Sequence, residues 1–492
     1  MFLDKIRKAP EFPGNFKWLN TDKPLSIEKL KGRIIILDFW TYCCINCMHI
    51  LPDLEYIEEK FKGKPVIVIG VHSAKFEQEA GQKNIEQAIS RYEIRHPVIV
   101  DEKLKIWESY GASGWPTFAV IDAKGNIVFK TSGEGKRQEL VELVETLLEE
   151  QKEFLSEKKI QIKIPENKNS SFLSYPGKLS FSPDKKHFVL SDSNHNRILI
   201  ISKEGKVIEE IGSGKKGLKD GNFKEAEFYR PQGVCWVKDG IYAADTENHS
   251  IRFIDLKNKK IKTVAGTGRQ AGFSSSGGKP KETPLSSPWD LAERNGLIYI
   301  TMAGVHQIWI FDPESDFIRP FAGDGREDII DGSLSGSSFA QPSGIALLGR
   351  NLYVADSEVS GIRKINIMAN SVTTICGKGL FEFGLKDGQA KEALFQHPLG
   401  ICSDGKNILF VADTYNNSIR KIDLGKNLVE TAIKKKEENV CIIGSEECNI
   451  LGLWEPSDVK YLDGKLYIVD TNNHLIRTFD LKKKKLGNLE VK

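Results

Sequence analysis

The stretch Phe39-Trp40-Thr41-Tyr42-Cys43-Cys44-Ile45-Asn46-Cys47-Met48-His49 holds three of the chain's eight cysteines. Residues of this type and spacing can form a working dithiol, a metal clamp or plain apolar packing. A thiol attacks only as a thiolate, and the field at a helix N-terminus favours that form. A buried strand ending at Asp38-Phe39-Trp40 and a short connector place Cys44 at the first turn of a helix. Cys47 follows on the same face, where it can attack a mixed disulfide held on Cys44. Cys44 is therefore expected to be the attacking nucleophile and Cys47 the resolving thiol. Cys43 cannot bridge Cys44 without strain and is read as packing, with an auxiliary thiol as its alternative. A zinc clamp needs a second ligand pair at recognisable spacing, and this region offers only scattered His49, His72 and His96. His49 is read as a helix-surface residue, and no metal is assigned.

The elements that must position the dithiol alternate between strand and helix. Ile34-Ile35-Ile36-Leu37, Pro65-Val66-Ile67-Val68-Ile69, Val98-Ile99-Val100 and Thr117-Phe118-Ala119-Val120-Ile121 are apolar runs suited to strands covered on both faces. Residues 45–61 carry apolar positions at helical spacing, a short helix is expected around 103–110, and Ala123-Lys124-Gly125-Asn126 is a turn signal into Ile127-Val128-Phe129. An amphipathic helix from Gln138 is expected to run on towards Lys158. Alternation of this kind specifies an α/β domain.

From about residue 173 the rhythm changes to a repeat. YAADTENHSIRFID (242–255), YVADSEVSGIRKIN (353–366), FVADTYNNSIRKID (410–423) and YIVDTNNHLIRTFD (467–480) are its clearest copies, and segments from 189 and 299 are weaker ones. The shared acidic position falls at Asp192, Asp245, Asp356, Asp413 and Asp470, with Met302 in the third copy. Three copies carry an upstream Asp-Gly pair, at Asp220, Asp331 and Asp387. A period of about 55 residues built from short β-rich runs is a propeller blade, and six copies imply six blades that must stack into a ring. His195, His249, His306 and His474 are read as one position, taken by Ser360 and Asn417 in the other blades, with a turn-bracing role between strands rather than a metal site. The repeated aspartates are expected to accept hydrogen bonds from turn amides. Ile160 to Pro165 is strand-like and is a candidate for closing the ring. Cys235, Cys376, Cys402, Cys441 and Cys448 are read as buried small apolar residues, and Lys434 to Lys436 and Lys482 to Lys485 as solvated turns.

The chain of 492 residues is too long for one small core. The expected division is 1–157 for the α/β domain, 158–172 for a linker and 173–492 for the propeller. A net charge of +3 gives no electrostatic case for nucleic acid. No apolar run approaches the roughly 18–20 residues that span a bilayer, and the N-terminal residues lack a signal-peptide core, so no membrane role and a cytoplasmic location are expected. A close CxxC in a reducing compartment points to redox or metal work.

A strand ending in Asp-Phe-Trp, followed by CxxC at the head of a helix, resembles the thioredoxin superfamily. The resemblance implies that Asp38 is a buried carboxylate assisting proton transfer from the resolving thiol. It also implies that Gly114-Trp115-Pro116-Thr117-Phe118 is the loop whose proline has a cis peptide bond and faces the dithiol. Pro116 then shapes a peptide-binding groove in which the backbone of Trp115 pairs with substrate. The segment 72–96 looks like the insertion of the TlpA and peroxiredoxin branch. Asn473-His474-Leu475 spells the triplet that names NHL repeats, and the joint architecture resembles the NHL repeat-containing protein 2 family. Three departures matter. Ile45-Asn46 replaces the Gly-Pro common in reducing thioredoxins, Trp115 is bulky enough to narrow the groove, and Leu37 stands where peroxiredoxins have proline. The expected activity is thiol–disulfide exchange on a protein or peptide partner recruited by the propeller, without a cofactor. A propeller scaffold with a non-catalytic or redox-switch thioredoxin-like domain is the alternative. Peroxide reduction ranks below both. RNA binding by the propeller rests on analogy alone.

Overall fold

A computed structural model of the protein describes residues 7–156, 171–272, 276–433 and 452–492. Two compact units divide it, Met1–Lys168 and Asn169–Lys492. The linker segment and the strand-like run Ile160 to Pro165 lie almost wholly outside the described residues, as do Cys441, Cys448 and Lys434 to Lys436.

The first unit is a seven-stranded sheet. Its strands are β1 (Arg7–Lys8), β2 (Trp18–Leu19), β3 (Ile34–Trp40), β4 (Val66–His72), β5 (Val98–Val100), β6 (Thr117–Ile121) and β7 (Asn126–Ser132), in the order β1-β7-β6-β3-β4-β5-β2. Its helices are α1 (Ile27–Leu30), α2 (Ile45–Lys60), α3 (Gln82–Tyr92), α4 (Lys105–Tyr110) and α5 (Arg137–Glu150). β3 runs parallel to β4 and antiparallel to β6 at the centre, and all seven of its residues are buried. The period of two along β3 sorts its side chains between two cores. Ile35, Leu37 and Phe39 pack with Trp107 and Tyr110, whereas Ile34 and Ile36 pack with Ile50, Leu54 and Ile57 of α2 and with α5. Asp38 and Trp40 fall on the α2 side by the same alternation. α5 stops at Glu150, short of the expected extension towards Lys158. The Gln151 side chain turns back to accept from the Ala123 amide at 2.9 Å and to donate to Asp122 at 3.2 Å, which ties the helix end to the β6–β7 turn.

The second unit is a six-bladed β-propeller. Six antiparallel sheets follow one another along the chain, each a meander of four strands, with a short fifth strand in blades 2, 4 and 5. That fifth strand starts at the glycine of each Asp-Gly pair: Gly221–Asn222, Gly332–Ser333 and Gly388–Gln389. Each described apolar cluster of the propeller spans two neighbouring blades, and Leu179, Phe188, Leu462, Tyr467 and Val469 join the last blade to the first.

The repeated polar residues build the inside of each blade and the joints between blades. Asp245, Asp356, Asp413 and Asp470 are buried, accept an upstream amide at 2.7–2.8 Å, and pair with Arg252, Arg363, Arg420 and Arg477. The Asp-Gly aspartates grip the same arginines in blades 2, 4 and 5: Asp220 holds Arg252, Asp331 holds Arg363 and Asp387 holds Arg420. Met302 and Trp309 replace the ion pair in blade 3, and both are buried in an apolar cluster.

The histidine position needs one change of register. His195 lies inside a 3₁₀ turn and bonds its own Asp192, while Asn196 takes the left-handed residue that His249, His306, Ser360, Asn417 and His474 occupy elsewhere. The hairpin of blade 1 is as long as the others, Asp192 pairing with Arg197 as Asp245 pairs with Ser250, and its histidine simply stands one residue earlier. The role also differs in partner, because these side chains bridge blades rather than strands of one blade. Each accepts a backbone amide of the next blade: Asn196 from Arg230, His249 from Ser287, His306 from Gln341, Ser360 from His397 and Asn417 from Glu455. His474 accepts from Tyr175 at 3.0 Å and closes the ring.

Candidate active site

β3 delivers the chain at Trp40, and Thr41-Tyr42-Cys43 carries it across to α2. Cys44 is the N-cap of α2 with extended backbone, and no side chain caps the helix there. The amides of Cys47 and Met48 turn back onto the Cys44 carbonyl at 3.1 and 3.2 Å, fixing the first turn. Cys44 is half-buried, whereas Cys43 and Cys47 are buried. The Cys44 Sγ–H donates to the Trp115 carbonyl at 3.7 Å, and the Trp115–Pro116 peptide bond is cis. The structure thus brings together the loop and the dithiol that lie about 70 positions apart in sequence.

Trp115 does not hang freely over the thiols. Its indole packs against Trp107 at a centroid distance of 4.5 Å and donates Nε1–H to the Ser73 carbonyl at 2.9 Å. The bulky ring is therefore held by the core and by the segment after β4, and its backbone carbonyl is the part that meets Cys44. Pro116 is buried.

The environment separates the two thiols. Burial, then the hydrogen bond and charge of Cys44 and the charge of Asp38, hold the Cys47 thiol well above the usual thiol range. Asp38 is fully buried, and neither of its carboxylate oxygens has a hydrogen-bond partner in the described structure. Burial pushes its carboxyl up to about 7, with the charge of His96 pulling the other way. A carboxyl with that proton affinity, near a buried thiol, can take up and return a proton near neutral pH.

Three contributors had no visible signal in the sequence. Glu79, completely buried, accepts the Cys43 amide at 2.7 Å and the amides of Lys75 and Phe76, so the segment after β4 clamps the connector in front of the dithiol. His49 is not a surface residue: its side chain is 1% exposed, with Nδ1 2.8 Å from Glu134 Oε2. Glu134 lies in the loop before α5 and covers that face of α2. His72 is buried against Trp40 and Tyr42, and burial drives it down to about 3, so its ring is neutral. A side chain whose partner lies tens of positions away leaves no local pattern to read. In the propeller, Cys235 and Cys402 are buried on innermost strands and Cys376 on an outer one, and burial pushes all three thiols up to about 12.

A thioredoxin-like family profile matches residues 32–127 and an NHL repeat profile matches residues 395–422. The chain is 38% identical to human NHL repeat-containing protein 2 (Homo sapiens) over 98% of its own length and 71% of that protein. This chain belongs to the NHL repeat-containing protein 2 family. Within 96% of its length it is also 41% identical to Protein SUPPRESSOR OF QUENCHING 1, chloroplastic, of Arabidopsis thaliana, of which it spans about half, 47%. Over 138 residues it is 30% identical to thiol-disulfide oxidoreductase ResA of Bacillus cereus, covering 28% of this chain and 76% of that one. Membership of the family thus joins the thioredoxin-like domain and the six-bladed propeller in one chain. Among the described residues no helix is long and apolar enough to cross a membrane.

Proposed function

We propose that this protein is a thiol–disulfide oxidoreductase whose propeller recruits a protein or peptide partner. The observation that carries the reading is the asymmetry of the dithiol: Cys44 is half-buried at a helix N-cap under the Trp115 carbonyl, and Cys47 is buried close to an unpartnered carboxyl. In the reducing direction the Cys44 thiolate attacks a partner disulfide, forming the Cys44–partner bond and releasing one partner thiolate. Cys47 then gives its proton to Asp38 and attacks the Cys44 sulfur. The Cys44–Cys47 bond forms, the bond to the partner breaks, and the second partner thiolate leaves and takes a proton from water. Two electrons pass from the dithiol to the partner, and the reverse sequence oxidises a partner dithiol. The carbonyl of Trp115 and the turn at Pro116 offer the backbone edge on which a peptide aligns. The sequence similarity to a thiol-disulfide oxidoreductase supports this reading, and a reducing compartment such as the cytoplasm suits a dithiol of this kind.

The deciding experiment titrates the redox state of Cys44 and Cys47 by alkylation and mass spectrometry across a glutathione or dithiothreitol series. A reversible disulfide with a potential of about −120 to −270 mV supports exchange. A pair that never oxidises, or that locks irreversibly, overturns it. The deep burial of Cys47 favours a second reading, in which the pair is a redox switch on a propeller scaffold. A Cys44→Ser/Cys47→Ser double variant that keeps its partners would support that reading.

A further inference from the structure

The segment that follows β7 runs from the cis-proline loop to the dithiol helix. At its start it is bound to the loop. Thr117 of β6 pairs with Ser132 of β7, their hydroxyl oxygens 2.8 Å apart, and the Gly133 amide donates to the Pro116 carbonyl at 2.9 Å. One residue on it is bound to the helix, where Glu134 Oε2 lies 2.8 Å from Nδ1 of the buried His49. A carboxylate only accepts, so the ring nitrogen donates. His49 stands five residues after Cys44, about 7–8 Å along the axis of α2. Further along the segment, Arg137 reaches Asp53 at 3.5 Å and lies over the Tyr56 ring at 5.2 Å. His49, Asp53 and Tyr56 form one stripe of α2 at i, i+4 and i+7, so residues 133–137 lie along the helix as a strap. The Arg137–Asp53 pair is solvent-exposed and adds little, which leaves His49–Glu134 as the fastening. Gly133 and Gly135 flank Glu134 with φ of 87° and 72°, and a Cβ at either would meet nothing within 4 Å. They answer to left-handed turns of the backbone rather than to packing. A strap with that freedom on both sides of its anchor keeps one position only while the anchor holds.

These contacts close a circuit round the reacting sulfur. Cys44 Sγ meets the Trp115 carbonyl, the next residue Pro116 accepts from Gly133, and Glu134 returns to α2 through His49. Resting on the exchange reading, we propose that Glu134 and His49 are positioning residues for that reaction. Their hydrogen bond holds the Trp115–Pro116 edge at a fixed distance from Cys44, so that a peptide aligned on the edge presents its disulfide to the thiolate. Opening the strap leaves both thiols in place and frees the edge to drift. The loss therefore falls on disulfides that carry a peptide backbone, and small disulfides without one are spared.

The test compares two disulfides on the reduced full-length protein: oxidised glutathione, which carries peptide bonds, and hydroxyethyl disulfide, which has none. Hydrogen-exchange mass spectrometry follows the Gly133 amide alongside. Glu134→Ala, at a partly exposed loop position, should slow exchange with oxidised glutathione about tenfold, the worth of one charge-assisted hydrogen bond, and leave hydroxyethyl disulfide within about twofold. Glu134→Gln, whose amide oxygen still accepts from His49, should recover most of the rate, and Gly133 should exchange faster in the alanine variant alone. Rates with the two disulfides that change equally, or not at all, overturn the proposal, as does an unchanged Gly133 amide in Glu134→Ala. A wild-type protein that reduces neither disulfide, with Gly133 released in Glu134→Ala, upholds the fastening and overturns the exchange reading instead.

Discussion

Cys44 and Cys47 share a helix turn, yet their surroundings give them separate tasks. If Cys44 attacks and Cys47 resolves, Cys47→Ser should accumulate a mixed disulfide on Cys44 when a disulfide partner is supplied. Cys44→Ser should accumulate none and lose exchange altogether; non-reducing electrophoresis and peptide mass spectrometry distinguish the two. Asp38 makes a second prediction, on stability. Its folded carboxyl keeps its proton up to about 7, whereas an unfolded aspartate releases it near pH 4, to within about a unit. Between those values the folded state binds the extra proton, so stability falls as pH rises, by about 1.4 kcal/mol per unit for one such group. Asp38→Asn removes that slope. The variant should match the wild type near pH 4 and exceed it by up to about 4 kcal/mol at pH 8, as read from urea denaturation with amide exchange in β3 as the local probe. The aspartate itself was reachable in the sequence through the resemblance to the thioredoxin superfamily. Glu79 and Glu134 were not, because each acts across the fold through a partner that sequence does not place beside it.

At the scale of the element, the aspartate–arginine pair inside each blade illustrates how a repeat tolerates substitution. Arg420 is completely buried against Asp413 and Asp387. Arg420→Trp should destabilise the propeller by about 3–5 kcal/mol, because it leaves a buried carboxylate without its counter-charge. Blade 3 has already exchanged both members for Met302 and Trp309. Combining Arg420→Trp with Asp413→Met should accordingly recover most of that loss, and chemical denaturation of single and double variants measures the coupling. The period and the Asp-Gly pairs were readable because each recurs at nearly fixed spacing. The end of α5 was not, since the stop comes from Gln151 reaching back to the β6–β7 turn rather than from the amphipathic pattern of the helix.

For the whole molecule, the decisive contacts are those between blades. His474 contributes to the joint from the last blade to the first by accepting a hydrogen bond from the Tyr175 amide. His474→Ala should leave that amide unpaired at about 1–3 kcal/mol. Its first sign should be faster hydrogen exchange at Tyr175 and along His187–Asp192, with the thioredoxin-like unit unchanged. The count of blades was visible in the sequence, whereas the direction of the joints was not: a histidine beside a turn signals bracing, but nothing in its neighbourhood tells which chain segment it braces. The six joints also share a property that reaches past this protein. Each asks for a side-chain acceptor on one blade and an ordinary backbone N–H on the next, and every blade has the second. Assembly is therefore written in a grammar that does not name its neighbours. Duplicating or exchanging a blade leaves the syntax intact, so a lineage can edit the surface of one blade while the ring goes on being spelled in the same way.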